Sequence, residues 1–126
     1  MSEKELAAAV RQVSPFADVI DIHGDIRSFS EKALADAYAK AVQDKVRTII
    51  FNFSGLSYMN SSGIGMLVML LIRAQRERKN IVGFGLSDHY RNIFEITRLD
   101  QVIPIYSSEA IALASAEQYD LPEREN

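Results

Sequence analysis

Stretches that favour strand alternate along this chain with stretches that favour helix. That alternation restricts the fold more than any other feature of the sequence. Asp18–Asp25 (DVIDIHGD) carries Val19, Ile20 and Ile22 as strand formers and stops at Gly24. Behind Ser30, a cap residue, Leu34, Ala37, Tyr38, Ala41 and Val42 recur at helical spacing. Lys45–Phe53 holds Val46, Thr48, Ile49, Ile50, Phe51 and Phe53, an almost unbroken β-prone run that reads as a strand buried on both faces. Ser54–Ser62 (SGLSYMNSS) reads as a polar loop of turn residues. A buried helix over roughly Ser62–Arg78 comes next, its last turn made basic by Arg73 and Arg76 in agreement with the helix dipole. Ile81–Leu86 is a short strand. Ser87 or Asp88 caps a helix with Tyr90, Ile93, Phe94 and Thr97 on one face. Val102–Tyr106 is a further strand, and Ser107 or Ser108 caps a last helix through Ala116. The order β-α-β-α-β-α-β-α predicts an α/β domain with a mostly parallel sheet and right-handed crossovers. Sites on such sheets lie at the carboxyl ends of the strands, where Ser54–Ser62 falls.

A chain of 126 residues is one domain on the usual scale of about 150 residues each. With 48% hydrophobic residues it has the material for a core. The 14 Lys and Arg against 17 Asp and Glu leave a formal charge of −3, which argues against a nucleic-acid partner. Without cysteine, disulfides, thiolate metal sites and cysteine nucleophiles are excluded. The longest apolar run, Ile64–Ile72, is well short of the ~20 residues of a membrane span, so no membrane insertion is expected. The first ten residues lack a signal-peptide pattern, and the expected location is cytoplasmic. The domain is expected over residues 15–118. Residues 1–14 read as an N-terminal flexible segment, and 119–126, with Pro122, as a C-terminal tail.

The chain offers little chemistry of its own. Gly63-Ile64-Gly65 opens a helix after a strand, but Val68 stands where a dinucleotide fingerprint needs its third glycine. Gly83-Phe84-Gly85 fails likewise at Asp88, and no G-x-S-x-G elbow is present. His23 and His89 have no partner at metal-ligand spacing and read as surface or strand-end residues. The basic residues from Arg73 to Lys79 read as a solvated helix end. By strand alternation Asp21 points away from the face of Ile20 and Ile22, toward solvent. No catalytic residue, metal ligand or cofactor site is therefore expected, and the chain reads as a non-enzyme. One cluster remains, Asn60-Ser61-Ser62-Gly63. Its composition is that of a helix cap. The same place also suits a phosphate, because unsatisfied N–H groups and a positive dipole end meet there. Both readings stand at this point.

From Phe51 to Ile111 the sequence strongly resembles the STAS domain of bacterial anti-sigma factor antagonists (anti-anti-sigma factors). The resemblance rests on Asn52-Phe53-Ser54-Gly55, on Tyr58-Met59-Asn60-Ser61-Ser62-Gly63-Ile64-Gly65, on Gly85-Leu86-Ser87 and on Thr97-Arg98-Leu99-Asp100. Ile22-His23-Gly24-Asp25-Ile26-Arg27 extends it upstream, so that it covers about residues 18–116. It implies a STAS-like fold, a central mostly parallel mixed β-sheet packed with about four α-helices. It also implies an antagonist that binds an anti-sigma factor which is a serine-protein kinase, with a phosphatase reversing the modification. The phosphoacceptor it implies is Ser61, with Ser62 as the lesser candidate. The partner-binding surface it implies consists of Asp25, Ser54, Asn60, Ser61, Ser62, Gly63 and Ser87. An unphosphorylated STAS interaction module in a regulatory or transport assembly is the alternative. Four residues depart from the family pattern. Asn60 and Asn52 replace aspartates, Arg27 replaces the second aspartate of the upstream G-[ED]-[LI]-D segment, and Arg98 replaces a glycine. Asn60 still caps, but it is a far poorer base than aspartate.

Overall fold

The computed structural model describes residues 5–42 and 45–118. It is a five-stranded sheet in the order β1-β2-β3-β4-β5. The strands are β1 (Ala7–Ser14), β2 (Ala17–Ile26), β3 (Thr48–Met59), β4 (Asn80–Phe84) and β5 (Ile105–Tyr106). Strands β2 to β5 run parallel, and β1 is antiparallel to β2. The helices are α1 (Glu31–Ala41), α2 (Ser61–Arg76), α3 (Asp88–Ile96) and α4 (Glu109–Gln118).

The parallel strands are laid down one beside the next without reversal, so right-handed crossovers place their helices on one face. The core reflects this. Ile20, Ile22, Ile49, Phe51 and Phe53 of the sheet pack with Leu34 and Tyr38 of α1, Leu67 and Leu71 of α2, and Phe94 of α3. The alternate residues, Val19, Ile50, Val82 and Phe84, face the other way, onto Ala112 and Ala116 of α4. Strands β2 and β3 are thus covered on both sides, which explains their near-continuous apolar sequence.

Three elements differ from the expectation. Residues 7–14 are not a flexible segment but the edge strand β1, paired with β2 from Ala7↔His23 to Ser14↔Ala17. None of its residues is fully buried, so its sequence carries no hydrophobic signature. Residues 54–59 are not loop, because β3 continues through Met59 alongside β2, with Gly55 opposite His23 and Met59 opposite Ile26. Between Asn52 and Gly55 and between Leu56 and Tyr58, β3 takes one residue more than β2, so the extra residues are accommodated in β3. The last strand shrinks to Ile105–Tyr106, preceded by a 3-10 turn at Leu99–Gln101. The expected tail, 119–126, lies outside the described residues. Ser30 precedes α1 without capping it by its side chain. Its hydroxyl accepts from the Arg27 amide at 2.9 Å and donates to the Asp25 carbonyl, fastening the turn after β2.

Candidate functional site

The site is built where β2 and β3 end. β4 accompanies β3 only as far as Asn52, so residues 53–59 project beyond it with β2 alone for company. That leaves main-chain groups of β3 without a ladder partner, and one of them is met by a side chain. The Met59 amide donates to Tyr90 Oη at 2.8 Å, fastening α3 to the end of β3. The next residue, Asn60, begins α2. Its amide donates to the Ile26 carbonyl, and its Oδ1 accepts from the Gly63 amide at 2.9 Å as an N-cap. Gly63 is buried against Ile26. A Cβ at this position would run into the Ile26 carbonyl, so the close approach of α2 to β2 requires glycine.

Ser61 and Ser62 occupy the first two helical positions and both are exposed. Neither hydroxyl has a hydrogen-bond partner among the described residues. Asn60 is therefore spent on capping, while the two hydroxyls beside it face outward on a helix end held from two sides.

The other residues of the expected surface are dispersed. Asp25 is only 4% exposed, and its carboxylate accepts from Arg27 Nε at 3.0 Å, so it is a supporting residue beneath the rim rather than part of the surface. Ser54 is exposed on the projecting part of β3, close beside Gly85. Ser87 is exposed too, and its hydroxyl accepts from the Tyr90 amide at 3.4 Å as the N-cap of α3. Ser54 and Ser87 thus belong to the β4 side of the projection, and Asp25 with Arg27 to the β2 side.

Two departures from the family pattern have a visible structural consequence. Asn52 Nδ2 donates to Asp21 Oδ1 at 2.8 Å, while its own Oδ1 accepts from the Ser54 amide. Only an amide does both, and an aspartate here would set two carboxylates against each other. Arg98 adopts φ 62°, ψ 18°, the left-handed conformation that a glycine would take without strain. Asp21 is not simply solvated, because Arg11 bridges it to Glu109 of α4. The Arg11 bond, chiefly, holds its carboxyl below the usual carboxylate range. Nor is the basic end of α2 simply solvated. Arg73 lies over the Tyr38 ring, and Tyr38 Oη donates to Glu77 at 2.7 Å. Burial and that carboxylate push the phenol of Tyr38 up.

Arg27, Tyr58 and Tyr90 were not among the expected site residues. The Arg27 guanidinium lies 4.1 Å from the centroid of the exposed Tyr58 ring. Tyr90 carried a signal, its place on the inner face of α3, but nothing local announced its bond to Met59. No group of His, Cys, Asp or Glu among the described residues is arranged to hold a metal ion. No helix among them is long and apolar enough to cross a membrane.

The family model described as "Mlab, STAS domain" matches residues 10–105. An anti-sigma-B factor antagonist of Listeria monocytogenes is 30% identical over 94 residues, which is 73% of this chain and 82% of the relative. The crystal structure of an anti-sigma factor antagonist from Mycobacterium paratuberculosis superposes with a TM-score of 0.76 at 19% identity, covering 90% of this chain and 95% of that one. The phosphorylated form of the Bacillus cell fate determinant SpoIIAA gives 0.66 at 24% identity, over 86% of this chain and 98% of that one. Both structural likenesses are likenesses of fold.

Proposed function

The chain belongs to the STAS domain family, and from that premise we propose that it is an anti-sigma factor antagonist switched by phosphorylation at Ser61. Its partner in this reading is an anti-sigma factor that is also a serine-protein kinase, with a phosphatase restoring the free hydroxyl. The observation that carries the reading is the Ser61 side chain, exposed and unbonded at the first position of a helix whose entry is held by Asn60, Gly63 and, through Met59, Tyr90.

The chemistry assigned to the two proteins is divided accordingly. The kinase transfers the γ-phosphoryl group of ATP. A bond forms between phosphorus and Ser61 Oγ as the bond to ADP breaks, and the hydroxyl proton passes to a base of the kinase. Asn60 supplies no base, since it is neutral and its oxygen already accepts from Gly63. The chain contributes position rather than catalysis. The added group carries about −1.5 to −2 charges. On a chain of formal charge −3 that is a large local change, placed on a surface a partner must cover. The free amides and dipole of the first α2 turn stabilise the phosphate without rebuilding the fold. The site of action in this reading is the cytoplasm.

The alternative is a STAS module that is never phosphorylated and binds constitutively within a regulatory or transport assembly. The neutrality of Asn60 favours it, because no carboxylate of residue 60 assists the hydroxyl. Incubation with the genomically neighbouring serine kinase and ATP, followed by intact mass, separates the two. The switch predicts one added phosphate that Ser61→Ala abolishes. An unmodified mass with binding retained overturns the switch in favour of the module.

A further inference from the structure

We infer that the groove between α1 and α2 is a binding site for an aliphatic monocarboxylate, an unbranched apolar chain whose carboxylate pairs with Arg76. The groove runs toward the end of α2 away from Ser61, and nothing in it depends on whether Ser61 is modified.

Helix α2 turns Met66, Met69, Leu70 and Arg73 toward the groove at helical spacing, and Leu34 and Ala35 of α1 complete its floor. The space between them is about 360 Å³, within the size range of small-molecule sites. Ala35 keeps that space open, since a longer side chain there would fill it. Met69 is 65% exposed, so the groove leaves in water the apolar surface that a hydrocarbon chain would cover. Methionine side chains are flexible and polarisable, and Met66 and Met69 can close over such a chain.

The two ends of the groove differ in charge. Tyr38 Oη donates to Glu77 at 2.7 Å and Arg73 lies over the Tyr38 ring, so the last turn of α2 is level with the middle of α1. Glu31 lies about two turns before Tyr38, roughly 10 Å back along α1, and so at the opposite end. At the α2 end, Glu77 stands 3.4 Å from Arg73 Nε and the two charges offset each other. Arg76 is exposed and has no hydrogen bond or ion pair among the described residues. One positive charge is therefore left over, which matches a monoanion. A phosphate monoester, with close to two charges, would set its surplus against Glu77. The guanidinium of Arg76 offers a carboxylate a planar fork of donors. Glu31, likewise without a partner among the described residues, repels a carboxylate and so sets the direction of the chain, head at Arg76.

The test uses the whole protein with its methionine methyl groups labelled with carbon-13, titrated with decanoate below its micelle concentration. Met66 and Met69 are expected to shift along one saturating curve, while Met59, buried at the end of β3, does not move. Arg76→Gln, at an exposed position without partners, should weaken decanoate at least about threefold and leave decanol unchanged. Ala35→Leu, which fills the floor, should weaken both at least about tenfold. The absence of a saturating shift at Met66 and Met69 overturns the site, and so does a shift that Met59 shares, which would mean a loosened core. Decanoate bound as tightly by Arg76→Gln as by the parent overturns the pairing with Arg76. Movement of the same methyl groups on dilution of the protein alone would place a second copy of the chain on the groove and overturns the inference as well.

Discussion

Strand β2 carries a buried carboxylate near each end, and the two are handled in opposite ways. Asp25, at the end that faces the site, is 4% exposed and paired with Arg27. Asp18, at the far end, is 5% exposed, and its Oδ1 has no hydrogen-bond partner. Burial pushes the Asp18 carboxyl above the usual range. Charge is compensated at the end of the strand beside the candidate site and left uncompensated at the opposite end. The cost of desolvating a carboxylate is recovered only when a donor reaches it, and reach depends on the segment that flanks the strand. After Ile26 the turn fastened by Ser30 brings Arg27 back over Asp25. Among the described residues nothing comparable precedes Ala17.

Removing the compensation should have the largest effect. Arg27→Ala leaves Asp25 charged, buried and without its Nε donor, and should lower stability by about 2 kcal/mol, since the pair is near the rim rather than deep. Combining it with Asp25→Asn should restore most of the loss. Urea unfolding of the two single variants and the double tests this, and additive losses would show that the pair is not coupled.

A third carboxylate on β2, Asp21, sharpens the contrast because it is compensated by an amide as well as by Arg11. Asn52→Asp replaces the 2.8 Å hydrogen bond with a like-charge contact and should destabilise the fold by about 1 kcal/mol at neutral pH. Acid should relieve the loss as one of the two carboxylates takes up a proton. Thermal unfolding at neutral and acid pH reads both expectations, and a loss of equal size at the two would show that charge is not its cause.

An effect of opposite sign belongs to Asp18→Asn. A carboxyl raised in the folded state binds its proton more tightly there than in the unfolded chain. Its ionisation therefore costs stability, beginning near the unfolded value of about 4 and complete above the raised folded value. Asp18→Asn should gain about 1 kcal/mol at neutral pH and nothing in strong acid, flattening the pH profile. A gain that did not change with pH would come from packing instead.

The same contrast shows what could be read in advance. The buried strands, the order of helices and the Asn60 cap were legible because each is a pattern of near neighbours. Val19, Ile20 and Ile22 mark β2, and Asn60 with Gly63 marks the start of α2. Strand β1 was not legible, since an edge strand with no buried residue leaves no alternation to detect. The sequence of residues 54–59 reads as loop because Ser54, Gly55 and Ser57 are turn formers. Pairing with the far end of β2 overrides that preference, as tertiary context often does for strands. In the candidate site, Ser61 and Asn60 were legible as a cap and as a motif. Arg27 was visible only as a departure, and Asp25, read as surface, proved to be its buried partner.

Hydrophobic spacing and capping chemistry act over a few residues, so the chain's own order was enough to specify a parallel sheet, its helices and an exposed hydroxyl at a helix start. Which charges meet was a matter for the tertiary structure. Strand register, two extra residues in β3 and the absence of a Cβ at Gly63 decide that Ile26 lies beneath residues 60–63, and that Asn52 faces Asp21. Those contacts join segments more than thirty residues apart, and an ionic or amide partner at that separation leaves no periodic trace in the sequence.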